Sequence, residues 1–261
     1  MSSNGDKTAG RGPGTPEHPA DAAGGQGPVA RSSQGGAVRP SSGADISSFL
    51  QAAEQSRKEV GRGRLVFALD ATMSRQPTWD RACNVQAEMF EAASASGGLA
   101  MQLVYFRGFG ECGASKWVDN GRKLADLMSR IDCRGGTTQI RKVLRHTLDE
   151  ARRRKVQALV YIGDCVEEDV DGLCARAGEM GVLGVPAFVF QEGAEPHATR
   201  AFREIARLSG GAHFALDSGA PGELAALLKA AAVYASAGRD GLERLRRSGD
   251  DGARLFLSHL R

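Results

Sequence analysis

The chain has no Cys-x-x-Cys pair, no apolar run approaching ~18 residues and no apolar core near its amino terminus. The first absence removes the usual zinc-site signal. Its five cysteines (Cys83, Cys112, Cys133, Cys165, Cys174) are odd in number and scattered, which fits a reducing compartment. The second excludes a membrane-spanning helix. The third leaves nothing to act as a signal peptide, so the cytoplasm is the expected location. Charge of one sign is also scarce. A net charge of only +3 argues against a dedicated nucleic-acid binder. The five histidines (His18, His146, His197, His213, His259) show no metal spacing, and His213, in an apolar stretch, reads as a satisfied core or edge residue. No Ser/His/Asp order, phosphate-binding loop or internal repeat is present. Residues 1–44, rich in Gly, Pro, Ser and Ala, lack apolar side chains to bury and read as a disordered tail, passive rather than docking.

What is present centres on Arg64–Ser74. Leu65 to Leu69 is a short unbroken apolar run, as expected of a strand buried on both faces of a parallel sheet. It ends in Asp70, with hydroxyls at Thr72 and Ser74. Alternation turns Asp70, Thr72 and Ser74 the same way if the chain stays extended. In open α/β sheets, ligands sit at the carboxyl ends of strands. Oxygen donors of this kind suit a hard cation such as Mg²⁺. Two later stretches complete the set. Gly135-Gly136-Thr137-Thr138 offers further hydroxyls from a Gly-rich loop, and Leu159 to Gly163 is a second buried-looking strand ending in Asp164.

At this point the chain resembles the von Willebrand factor A family, as an intracellular, bacterial-type member. That family's metal-ion-dependent adhesion site reads Asp-x-Ser-x-Ser, then a Thr in a Gly-rich loop, then an Asp after a hydrophobic strand. Here the first element is Asp70-Ala71-Thr72-Met73-Ser74, with Thr in place of the first Ser. The resemblance, over about residues 62–235, implies a metal held by Asp70, Thr72, Ser74, Thr138 and Asp164, with Thr137 the alternative to Thr138. It implies Mg²⁺ or Mn²⁺, and a protein partner whose Asp or Glu completes the octahedron. Two carboxylates and three hydroxyls leave the formal charge near zero with the cation bound. Each residue has a plainer reading beside this one. Asp70 and Asp164 would cap following helices, Thr72 and Ser74 would stabilise turns, and Thr138 would cap the next helix. Glu167, Glu168, Asp169 and Asp171 read as a solvated first helical turn.

The rest of the chain alternates strands and helices, predicting an α/β fold: a doubly wound, mostly parallel central sheet with helices on both faces. A helix is expected over 45–61 and the main domain over 62–236. Helices are expected near 77–96, 119–131, 140–154, 197–209 and 221–234, with another running from the acidic stretch after Asp164 to about Met180. Strands are expected near 65–69, 99–106, 156–162, 184–190 and 212–216, and an antiparallel edge strand at the end of the Gly-rich return 107–118. Residues 237–261 read as an amphipathic tail that docks on the domain or on a partner. The Arg152-Arg153-Arg154-Lys155 run reads as a solvated helix end.

The function expected is a divalent-cation-dependent protein-binding module, not an enzyme, with no nucleic-acid or membrane partner. Two alternatives stand beside it. One is a Mg²⁺-dependent, phosphatase-like hydrolase using Asp70, although the position two residues on, Thr72, carries no acid. The other is a structural domain without metal binding.

Overall fold

The computed structural model describes residues 47, 62–73, 76–96, 98–216 and 221–260. The expected tail over 1–44, all but one residue of the expected helix over 45–61, and Ser74 lie outside these residues.

The first strand, β1 (Gly63–Asp70), is buried along its whole length. Its unbroken apolar run requires this, because alternate side chains point to opposite faces and both faces are covered. β2 (Leu99–Arg107) lies parallel to it on one side and β4 (Ala158–Gly163) parallel on the other. β5 (Ala187–Glu192) and β6 (Ala212–Leu216) extend the sheet in parallel beyond β4, and β3 (Glu111–Ala114) pairs antiparallel with the far side of β2. The order is therefore β3-β2-β1-β4-β5-β6. The chain leaves β1 in one direction and returns on its other side at β4. The crevice between the carboxyl ends of β1 and β4 is thus the switch point where an open α/β sheet accepts ligands.

The antiparallel strand forms earlier than the sequence suggests. A tight turn at Gly108 (φ 60°), Phe109 and Gly110 reverses the chain at once, so pairing begins at Arg107↔Glu111. Val118 adds one isolated bridge to Met101. β5 begins at Ala187 rather than near Gly184. Gly184 takes a left-handed turn (φ 66°), and the strand ladder opens only at the Pro186 carbonyl, which accepts from Leu159 N.

Seven helices are described. α1 (Gln76–Ser94), α2 (Gly121–Met128), α6 (Pro221–Arg247) and α7 (Asp251–His259) cover the face carrying Leu65, Phe67 and Leu69. α3 (Ile140–Arg153), α4 (Val170–Val182) and α5 (Pro196–Ser209) cover the face carrying Val66 and Ala68. Each fully buried Phe or Leu in these layers contributes on the order of 1.5–3 kcal/mol. α6 runs past the expected end at residue 234 and breaks its geometry at Gly238 (φ 65°). Residues beyond the break pack on this same domain. Leu242 and Phe256 are fully buried, and the Phe256 ring lies 4.7 Å from Phe188 and 4.9 Å from Phe214. Asp250 anchors the turn between the helices, capping Ala253 N at 2.8 Å and pairing with Lys229 at 2.8 Å.

His213 sits on β6 with Nε2 donating to Gln191 Oε1 at 2.8 Å. Burial, helped by the nearby Arg203 and His259 cations, pushes its pKa down to about 4 from the ordinary value near 6.5. The native state therefore holds fewer protons here than the unfolded chain does. His213 contributes stability that is fully present above the unfolded value and is lost as pH falls toward about 4. Urea midpoints measured across that window should drop with acidity, and His213→Gln should flatten the drop.

Candidate metal centre

Asp70 ends β1 at the switch point. Its side chain is only 3% exposed, and Oδ1 accepts from Thr72 N at 2.7 Å. That bond curls the chain immediately after the strand and turns Thr72 back beside the carboxylate. Capping of the next helix is ruled out for Asp70, because α1 starts only at Gln76. Arg134 N donates to Ala71 O at 3.0 Å, tying the Gly-rich loop to this one.

The second loop is seated by a close backbone approach. A Cβ on Gly136 would lie 2.1 Å from the Gly108 carbonyl oxygen, so only glycine fits against the β2–β3 turn. Thr137 N donates to the same carbonyl at 3.2 Å. The next residue, Thr138, is 5% exposed. Its N–H donates to Glu167 Oε2 at 2.8 Å, and its Oγ1 accepts from Glu167 N at 3.0 Å. Thr138 is therefore not a helix cap. The cap position of α3 belongs to Gln139, which makes no side-chain capping bond. Glu168 does that work from another segment, accepting from Ile140 N and, at 3.0 Å, from Arg141 N.

This corrects the reading of the acidic stretch. Glu167 and Glu168 fasten the third loop to the second. Only Asp169 is the ordinary cap of α4, accepting from Gly172 N at 2.8 Å. Asp164, half-buried at the end of β4, is likewise not the cap of α4.

Together the three loops enclose a cavity of about 250 Å³. Asp70 and Thr72 line it from the first loop, Gly136 and Thr138 from the second, and Cys165 and Glu167 from the third. Of the residues singled out from sequence, the structure thus brings Asp70, Thr72 and Thr138 to one cavity. Asp164 stands beside it, hydrogen-bonded to the Cys165 side chain. Thr137 is outside the lining, and Ser74 is outside the described residues.

The local field is negative. Burial, reinforced by Asp164, Glu167 and Asp70, pushes the Cys165 thiol up to about 12. That keeps the thiol protonated. Among the described residues no group of three or more His, Cys, Asp or Glu side chains is arranged to hold a metal, so any site here depends on hydroxyl oxygens. A carboxylate and two hydroxyls meeting in one cavity fit a hard, partly hydrated cation.

Tyr161 also stands at this end of the sheet, three residues before Asp164. It lies on β4, on the same face as Val66 and Ala68, with its ring against Phe106 and Phe202. By sequence pattern it is one apolar position of a buried strand. The available signal was a tyrosine two residues before a glycine, on the strand that ends in Asp164.

No protein-family model matches the chain, and no curated protein sequence matches it. Similar solved structures do exist. A von Willebrand factor type A protein from Catenulispora acidiphila superposes with a TM-score of 0.53 at 14% identity, covering 67% of this chain and 43% of that one. Human COPII-coat protein Sec24c gives 0.51 at 10% identity, covering 67% of this chain and 32% of that one. The open conformation of the pilus adhesin SpaC from Lactobacillus rhamnosus GG gives 0.51 at 11% identity, with 67% and 30% coverage. The chain spans less than half the length of each. No helix among the described residues is long and apolar enough to cross a membrane. With six strands in this order, one of them antiparallel, and helices on both faces, the chain has the von Willebrand factor A fold.

Proposed function

We propose that this chain is a divalent-cation-dependent protein-binding module, not an enzyme. Asp70, Thr72 and Thr138, with Ser74 and Asp164, would hold Mg²⁺ or Mn²⁺ and leave a coordination position for an Asp or Glu of a protein partner. The observation that carries this reading is the meeting of a buried carboxylate and two hydroxyls from separate loops at the switch point of the sheet. The similar structures include, by name, an adhesin and a coat protein, which supports a protein partner over a small substrate. The hydrolase alternative lacks a group. Thr72 presents a hydroxyl to the cavity where a carboxylic acid would have to protonate a leaving group.

The test is calorimetric titration of Mg²⁺ and Mn²⁺ into the full chain, with and without acetate to stand for the partner's carboxylate. Saturable binding is expected. Thr138→Val should weaken it by about tenfold or more, while Thr137→Val leaves it unchanged. Absence of saturable binding at millimolar cation under both conditions would overturn the proposal.

A further inference from the structure

Beneath the strand ends that carry Asp70 and Asp164 lies a buried polar group that the ligand set above does not include. Tyr161 is 2% exposed, and its hydroxyl has no hydrogen-bond partner among the described residues. A buried hydroxyl left in this way costs stability, so its persistence calls for a use.

The register of the sheet shows where the hydroxyl points. Ala68 pairs with Tyr161 and Leu69 with Ile162, which sets Asp70 level with Gly163. Side chains two apart on a strand share a face, so Asp70 and Tyr161 lie on the same side of the sheet. The ring of Tyr161 runs along β4 toward its carboxyl end. A Cβ on Gly163 would sit 2.4 Å from the Tyr161 hydroxyl oxygen, so the glycine is what lets the phenol pass. The hydroxyl therefore lies buried at the carboxyl end of β4, on the Asp70 side of the sheet, within reach of the Asp70 charge. Burial first, and then the charges of Asp70, Cys165, Asp164 and Glu168, hold its proton firmly in place. A neutral phenol at this position can donate one hydrogen bond and accept others.

We infer that Tyr161 is a positioning residue of the candidate cation site, its hydroxyl holding a cation-bound water or the carboxylate that the cation binds, through the space left open by Gly163. The inference rests on the metal reading proposed above. It assigns the residue a role that leaves the isolated fold slightly worse off and the loaded site better off, a trade found at functional positions.

Tyr161→Phe removes the oxygen and leaves the ring stacked on Phe106 and Phe202. In the full chain, the cation-free melting temperature should stay the same or rise, because an unsatisfied hydroxyl is gone. The Mg²⁺ affinity measured by calorimetry should fall by about tenfold, within the range for outer-shell partners of a metal site. Mg²⁺ affinity equal to that of the wild type would overturn the inference while leaving the metal reading intact. A wild type that binds neither Mg²⁺ nor Mn²⁺ would overturn both. A second measurement does not depend on that variant folding. With Tyr105 and Tyr234 replaced by Phe, Tyr161 is the one tyrosine left of three. Its near-ultraviolet band should shift on saturation with Mg²⁺, and an unchanged band at saturation would count against the role.

Discussion

Glu150→Ala should lower the stability of the chain by about 3–5 kcal/mol, a loss out of proportion to a single side chain on a helix otherwise rich in exposed charge. Glu150 is 7% exposed and Arg64, at the amino end of β1, is 8% exposed. Glu150 Oε2 accepts from Arg64 at 2.9 Å and from Trp117 Nε1 at 2.9 Å, and Oε1 accepts from Arg153 at 3.0 Å. The Arg64 guanidinium also lies 3.8 Å over the Trp117 ring and donates to Arg154 O at 2.7 Å. Burial raises the carboxyl's pKa, but the hydrogen bonds from Trp117 and Arg64 outweigh it and hold the group below its ordinary range. Truncation leaves the buried Arg64 guanidinium without its carboxylate and the Trp117 indole N–H without its acceptor, and the uncompensated charge sets the size of the effect. Replacing both members of the pair, as Arg64→Met with Glu150→Leu, should recover most of the loss, since no stranded charge remains. Glu243→Ala, which breaks the exposed pair with Arg246, should cost under about 1 kcal/mol. Guanidinium unfolding of the four chains, with unchanged denaturant dependence, separates these cases. A loss of similar size for Glu150→Ala and Glu243→Ala would mean that the buried cluster is no more important than a surface pair.

How far such features could be read from sequence depends on what holds them. Leu65–Leu69 and Leu159–Gly163 were legible as interior strands because composition alone encodes burial on both faces. The sheet and its switch point follow from them, and so does the arrival of Asp70 at the site. Thr137 against Thr138 was not legible. Both are threonines in a Gly-rich stretch, and what sets Thr138 apart is a contact with Glu167, 29 residues away, whose backbone N–H binds the Thr138 oxygen. Glu168 looked like one acid in a solvated turn for the same reason, since its partners Ile140 N and Arg141 N belong to another helix. The Arg64–Glu150 pair joins residues 86 apart. Arg64 reads locally as the polar start of a strand and Glu150 as one charge among many. Apolar spacing around Leu242 and Phe256 showed that the C-terminal segment has a face to bury. Spacing says nothing of what covers that face, and the rings of Phe188 and Phe214 supply the answer. Periodicity thus reports burial, while side chains satisfied across the fold leave no local trace.

The largest functional effect should come from Asp70→Asn. The two roles open to Asp70 make opposite demands on the substitution. As the acceptor for Thr72 N, Asp70 needs an oxygen, and asparagine keeps one in the same place. As a cation ligand it needs its charge, which asparagine lacks. The Asp70 charge also belongs to the negative field acting on the Cys165 thiol, which a bound cation would offset. Mg²⁺ affinity should fall by about 100-fold or more, beyond the range of outer-shell changes. The melting temperature should then lose its dependence on cation. A wild type at 100 times its dissociation constant gains about 2.7 kcal/mol from binding, and the variant at the same concentration should gain almost none. Asp70→Ala should lose the cation equally and also lose about 1 kcal/mol of cation-free stability with the loop bond. Melting curves of the three chains with and without Mg²⁺ therefore distinguish the roles. Equal cation-induced shifts in the wild type and Asp70→Asn would reduce Asp70 to a turn-forming residue and take the carboxylate out of the proposed site.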